Sequence, residues 1–232
     1  MTLSPAGSRL RLVAFDLDGT LVDSIGDIAS SVNASLVERY GEPGRLPGDV
    51  VRGFVGGGAR RLIERCLDAL GPSVLGRAQD EEMDPVFERF LRIYGSRLVE
   101  TTMMYPGMRE ALAGVAARAK VAILTNKPGE MSRVILSRLG VDGLFIGVIG
   151  ADDIKTRKPD PEGLLQLCAR AEVDPHEAAL VGDSAVDVRT AKNAGALAVG
   201  VLWGYDRDGV LRERPDVTLN HPAELARLGG VQ

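Results

Sequence analysis

Residues 10–20 read Leu-Arg-Leu-Val-Ala-Phe-Asp-Leu-Asp-Gly-Thr, an apolar, β-favouring run that stops at two carboxylates and a turn. Leu10 to Phe15 is a short, near-continuous apolar segment, which predicts a strand covered on both faces, as in a parallel sheet with helices on either side. Asp16 then stands at the carboxyl end of that strand, and Asp18-Gly19 supplies the turn that ends it.

Working outward, Ile25, Ile28, Ala29, Val32, Leu36 and Val37 recur at helical spacing as far as Tyr40, where Gly41 provides a stop. Between Gly41 and Thr101 the strand signal vanishes. Residues 60–70 place Leu62, Ile63, Cys66, Leu67 and Leu70 on one helical face, and residues 81–98 repeat the habit. After Pro106 and Gly107 the rhythm changes to alternation. Helices are predicted at 108–119, 129–139, 162–171 and 185–194, and strands at 121–124, 145–149, 179–181 and 196–201, with a short strand at 217–219 and a final helix. Such a pattern predicts an α/β fold, a doubly wound Rossmann-like parallel sheet with a helical domain inserted after the first strand. The expected domains are 1–20 with 101–232 for the sheet and 21–100 for the insertion.

The chain has 232 residues and a net charge of −4, with 45% hydrophobic and 26% charged residues. At roughly 100 to 200 residues per domain this accommodates one large domain or two small ones. No apolar run is long enough to span a bilayer. Arg9 and Arg11 flank a short apolar run that ends in acids, unlike a secretory signal. Mild acidity offers no basic stripe for nucleic acid. The reading is therefore a soluble cytoplasmic protein, monomer or homodimer, with neither nucleic acid nor membrane as partner. Cys66 and Cys168 lie outside any CxxC pattern and suit a reducing compartment. With His176 and His221 as the only histidines, His-rich metal clusters are excluded, and without a GxSxG elbow a Ser-His-Asp hydrolase has no support.

Four polar segments fall where a predicted strand meets its loop. They are Asp16-Leu17-Asp18-Gly19-Thr20, Thr125-Asn126-Lys127-Pro128, Thr156-Arg157-Lys158-Pro159 and Gly182-Asp183-Ser184-Ala185-Val186-Asp187. Each alone also reads as ordinary structure: a strand-end turn, a helix N-cap, a surface lysine before a helix, and an acid favouring a helix dipole. The spacing of four between Asp183 and Asp187 turns both carboxylates toward one face. Ligands in open α/β sheets bind at the carboxyl ends of the strands. Taken together, Asp16, Asp18, Thr125, Lys158, Asp183 and Asp187 supply a nucleophile, an acid/base, phosphate donors and metal ligands in one crevice. Hard oxygen ligands without convergent His or Cys favour Mg²⁺.

With DLDGTLVDS, LTNK, the KP loop and GDSAVD in this order, the sequence resembles the phosphatases of the haloacid dehalogenase superfamily, over about Leu10 to Leu228. It looks closest to the phosphoglycolate phosphatases among them, with VGGGARRLIER, GADD, KPDPEGLL and GVLWGY in support. The resemblance implies that Asp16 attacks phosphorus to form an aspartyl-phosphate and that Asp18 serves as acid and then base. It implies Mg²⁺ on the Asp16 carboxylate, the Asp18 backbone carbonyl and Asp183, with Asp187 in support. Thr125 and the Asn126 amide would hold phosphate oxygens, and Lys158 would pair with Asp16 and the phosphate. The insertion is expected to be a cap that closes over a small phosphorylated metabolite, with Gly56 to Ala59 as candidate contact loop, so that glycine amides such as that of Gly57 meet a substrate carboxylate and Arg60 or Arg61 adds charge. A flexible turn is the bland reading of those glycines.

The same fold serves phosphatases for other metabolites, pyrophosphatases and sugar phosphomutases, which the sequence separates poorly. A dehalogenase would lack the second acid, and residues 21–100 contain no lysine for the Schiff base of phosphonate cleavage. A phosphorylated signalling receiver would lack the acid pair on the first strand and the insertion. A noncatalytic interaction protein on a degenerate fold is opposed by the intact set of predicted catalytic positions.

Overall fold

The first strand forms at Leu12–Phe15 (β1), with all four residues buried. It lies inside a six-stranded sheet with β4 (Lys120–Leu124), β5 (Phe145–Ile149), β6 (Ala178–Gly182), β7 (Leu197–Val201) and β8 (Val217–Leu219). The order is β5-β4-β1-β6-β7-β8 and every pairing is parallel. The computed structural model describes residues 10–72 and 79–228. Strand direction and helical crossovers make this the doubly wound α/β sheet that the alternating pattern predicts. From β1 the chain reaches β4 on one side and β6 on the other, so the topological switch point lies at the end of β1.

Two units divide the chain: a sheet unit, Met1–Asp23 with Met103–Gln232, and a helical unit, Ser24–Thr102. In the sheet unit, Leu12 and Ala14 of β1 face a cluster with Ala122, Leu124 and Leu180 from neighbouring strands. Helices α7 (Glu162–Ala171) and α8 (Ala185–Ala194) bury Leu164, Leu167, Cys168, Val188 and Ala191 against it. Each fully buried leucine of this kind contributes about 2 kcal/mol. Helices α5 (Met108–Ala116) and α6 (Gly129–Arg138) precede and follow β4 in the chain, and α9 (Arg207–Arg212) follows β7.

The helical unit contains α1 (Ile25–Tyr40), α2 (Gly48–Arg52), α3 (Ala59–Leu70) and α4 (Gln79–Ser96) among its described residues. Helix α1 packs on α4, which also receives α3. The buried stripe of α3 is Leu62, Ile63, Cys66, Leu67 and Leu70, the face that its periodicity predicts. Phe90 and Tyr94 stack one turn apart on α4, with ring centroids 5.4 Å apart. The first turn of α1 is tied to the segment ending the unit by one carboxylate, Asp27, which is 1% exposed. Its Oδ1 accepts hydrogen bonds from Thr101 N and Oγ1 at 2.9 and 2.6 Å, and its Oδ2 from Thr102 N and Oγ1 at 2.9 and 2.7 Å and from Glu100 N at 3.1 Å. Burial works to raise the pKa of Asp27, but these donors outweigh it and hold the carboxyl below its ordinary value.

Several elements differ from expectation. A two-residue antiparallel ribbon, β2 (Val22–Asp23) with β3 (Met103–Met104), stands where the chain leaves and re-enters the sheet unit. Two residues per strand carry no readable alternation. Helices α2 and α9 are five and six residues long and carry no clear periodic stripe. The final helix is instead a 3-10 segment, Pro222–Leu228, opened by a proline. Both cysteines are buried free thiols on α3 and α7, and burial pushes Cys66 up to about 12 and Cys168 to about 11, the latter helped by Asp174. Neither is poised as a nucleophile. Among the described residues, no helix is long and apolar enough to cross a membrane.

Candidate active site

The carboxyl ends of β1, β4 and β6, with the loop that follows β5, gather the polar side chains of the sheet unit. Asp16 follows β1 directly, is 6% exposed, and accepts the Leu17 amide on Oδ1 at 2.7 Å. Lys158 reaches the same oxygen at 3.0 Å and Asp187 Oδ1 at 2.5 Å. Its own loop is fixed by Asn126, whose Nδ2 donates to Lys158 O at 3.2 Å and whose Oδ1 accepts from Lys158 N at 3.0 Å. The Asn126 side chain thus holds the lysine loop in register, alongside the phosphate contact expected of its backbone amide.

Asp183 follows β6 and is 2% exposed. Thr20 Oγ1 donates to its Oδ1 at 3.0 Å, and the Tyr205 amide donates to its Oδ2 at 2.7 Å. Gly19 adopts φ +79°, and a Cβ there would lie 2.2 Å from Asp183 Oδ2, so the turn after β1 and the acid after β6 can meet only across a glycine. Gly182 permits the other close approach, since a Cβ would fall 2.2 Å from Asp187 Cβ. The convergence of Asp183 and Asp187 has a different origin from the helical spacing expected. Asp183 precedes the N-cap, Ser184, and Asp187 is the third residue of α8, reached by Ser184 N and Oγ at 3.1 and 2.5 Å. Cap and ligand readings of this segment therefore coexist in one carboxylate.

Asp16, Asp183 and Asp187 each place an oxygen within 4.8 Å of the others, all buried. Burial is the main influence raising Asp16; Lys158 draws it down, Asp187 and Asp18 raise it again, and the result is about 6. Asp183 is pushed well above the ordinary carboxylate value by burial, then by Asp187 and Asp16. Burial opposes the charge on Lys158, yet the attraction of Asp16 and Asp187 overcomes it and holds the ammonium above its ordinary range. Three carboxylates against one ammonium leave two negative charges in a desolvated space. The deficit equals one divalent cation, and a set of hard oxygen donors suits such an ion.

The second acid of the first segment pairs with a different lysine. Both oxygens of Asp18 lie 3.0 Å from Lys127 Nζ, and the lysine side chain is 4% exposed. Lys127 was part of the polar segment quoted from the sequence but carried no role there; its partner is 109 residues away along the chain, beyond any local pattern. Thr125 is buried, its amide donates to Ile149 O at 3.0 Å, and its hydroxyl accepts from Lys127 N at 3.2 Å. Thr20 and the Tyr205 amide are likewise found only through their contacts with Asp183.

Gly57 and Arg60 belong to the helical unit. Gly58, the N-cap of α3, has φ +91°, and Gly57 precedes it. Arg60 pairs with Asp84 at 2.7 Å and lies 5.5 Å from the centre of the Phe87 ring, so its guanidinium has an acidic partner within its own unit.

The sequence profile of the haloacid dehalogenase-like hydrolases matches residues 10–195. A phosphoglycolate phosphatase of Haemophilus influenzae is 34% identical over 220 residues, covering 94% of this chain and 97% of that protein. One from Mannheimia succiniciproducens is 34% identical over 223 residues, covering 95% and 99%. The crystal structure of a predicted phosphoglycolate phosphatase from Haemophilus somnus superposes with a TM-score of 0.88 at 29% identity, covering 95% and 98% of the two chains.

Proposed function

The chain belongs to the haloacid dehalogenase-like hydrolase family and is a phosphatase, and from that premise we propose that it hydrolyses 2-phosphoglycolate to glycolate and phosphate with Mg²⁺ as cofactor. The observation that carries this reading is Asp16, buried at the carboxyl end of β1 with Lys158 on one oxygen and two further carboxylates within 4.8 Å.

Asp16, Asp183 and Asp187, with the Asp18 carbonyl, would hold the cation, which when bound neutralises the acids and draws charge from the transferred phosphoryl group. In the first step an Asp16 oxygen forms a bond to phosphorus as the ester P–O bond breaks, and Asp18 gives its proton to the departing alkoxide. In the second, Asp18 takes a proton from water as that water attacks phosphorus, and the Asp16–phosphorus bond breaks to release phosphate. Lys158 and the Leu17 amide fix Asp16 in orientation, while Thr125 and the Asn126 amide hold phosphate oxygens. The helical unit is assigned the role of cap, in which Gly57 and Arg60 attend the substrate carboxylate. The free thiols of Cys66 and Cys168 support a cytoplasmic setting.

The test is kcat/KM over a panel of phosphate esters with Mg²⁺ present, alongside Asp16→Asn. A strong preference for 2-phosphoglycolate and a phosphorylated intermediate visible by mass spectrometry in the wild type alone are expected. Pyrophosphate or a sugar phosphate favoured by orders of magnitude assigns another substrate to the same machinery.

A further inference from the structure

The chain contains five lysines, and two of them, Lys127 and Lys158, are buried. Lys158 is accounted for by Asp16 and Asp187. The ammonium of Lys127 lies 3.0 Å from each oxygen of Asp18. A buried ammonium is costly to maintain without a function or a partner, and a neutral pair of the same volume would serve packing as well. Its backbone is also pinned, since Lys127 N donates to Thr125 Oγ1 at 3.2 Å and Lys127 O accepts from Ala151 N at 3.0 Å.

We propose that Lys127 is a specificity-determining residue that reads negative charge on the leaving group. The proposal rests on the assignment of Asp18 as the group that protonates the leaving oxygen. To receive that proton the leaving oxygen must lie within about 3 Å of an Asp18 oxygen. Each Asp18 oxygen is itself 3.0 Å from Nζ, so the leaving oxygen falls within about 6 Å of a fixed positive charge. In 2-phosphoglycolate one methylene separates the ester oxygen from the carboxylate, so the anion falls within about 10 Å of that charge. At such separations in a partly desolvated site the interaction is strong enough to rank substrates by charge. Small anionic esters gain, neutral ones are indifferent, and cationic ones are disfavoured.

The experiment compares 2-phosphoglycolate, 2-hydroxyethyl phosphate and 2-aminoethyl phosphate, whose leaving groups are anionic, neutral and cationic at similar size. Lys127→Met is expected to lower kcat/KM for the anionic ester at least about 10-fold more than for the neutral one, mostly through KM and on top of any loss that all three share through Asp18, while the cationic one improves relative to both. Lys127→Arg keeps the charge and is expected to keep the wild-type ranking, which holds the inference to account even if the methionine variant does not fold. Equal losses on all three esters, or a ranking unchanged by Lys127→Met, overturn it and leave the phosphatase reading intact. That reading fails on a different result, Asp16→Asn as active as the wild type.

Discussion

Two buried acids, one in each unit, make opposite use of burial. Asp27 in the helical unit accepts hydrogen bonds from three amides and two hydroxyls, all neutral, and its pKa lies below the ordinary value. Asp16 in the sheet unit shares its surroundings with two other carboxylates and one ammonium, and its pKa rises to about 6. Neutral donors aimed at a carboxylate satisfy it outright, which suits a clasp. Crowded acids with too little positive charge are left under-compensated, which suits a site that waits for a cation and a phosphate.

The same isosteric change separates the two regions. Asp16→Asn is expected to reduce kcat by at least about 10⁴-fold, and, by removing one of the crowded charges, to leave the metal-free protein as stable as the wild type or more so. Thermal melting in EDTA alongside steady-state kinetics reads both effects. A melting temperature that falls sharply would mean that Asp16 also serves as a structural clasp.

Asp27→Asn is the converse. It swaps an acceptor for a donor amid five donors and is expected to destabilise the helical unit by about 2 to 4 kcal/mol, as read by denaturant unfolding, with Asp16 chemistry retained in the folded fraction. A neutral outcome would erase the distinction between the acids.

Stability should respond to pH with opposite sign in the two places. The contribution of Asp27, a lowered group, is present above its unfolded pKa and lost as pH falls through the folded value. The contribution of Asp16, a raised group, is complete below the unfolded value near 3.8 and lost as pH rises through about 6, a change of the order of 3 kcal/mol. A divalent cation binds the ionised acids, so the gain in melting temperature from Mg²⁺ over EDTA is expected to grow from about pH 5 to about pH 7.5. A gain independent of pH would place the ion elsewhere.

The smallest effect is expected at Arg60. Its pair with Asp84 is exposed, so Arg60→Ala should alter stability by under about 1 kcal/mol. It should raise KM for 2-phosphoglycolate a few-fold more than for an uncharged aryl phosphate. Equal changes would detach this arginine from the substrate carboxylate.

Legibility from sequence followed the same divide. Asp16, Thr125, Lys158 and Asp183 could be placed because each abuts an apolar strand or a proline-stiffened loop, and parallel strands bring such ends together. Asp27 carries no signal in the sequence, because its partners lie 73 to 75 residues onward. Lys127 was visible as a residue but not as the partner of Asp18, for the same reason of distance. The β2–β3 ribbon and α9 are too short for periodicity to register.

The hold of Tyr205 on Asp183 has a consequence for how such chains diverge. The donor is a main-chain amide, which every residue but proline offers, whereas the phenol hydroxyl goes to Asp23 at 3.0 Å. The aromatic ring can thus be exchanged over generations without disturbing the orientation of the acid, and only a proline at this position would remove it. Invariance of the side chain, where relatives display it, would therefore mark selection on the link to Asp23 rather than on Asp183.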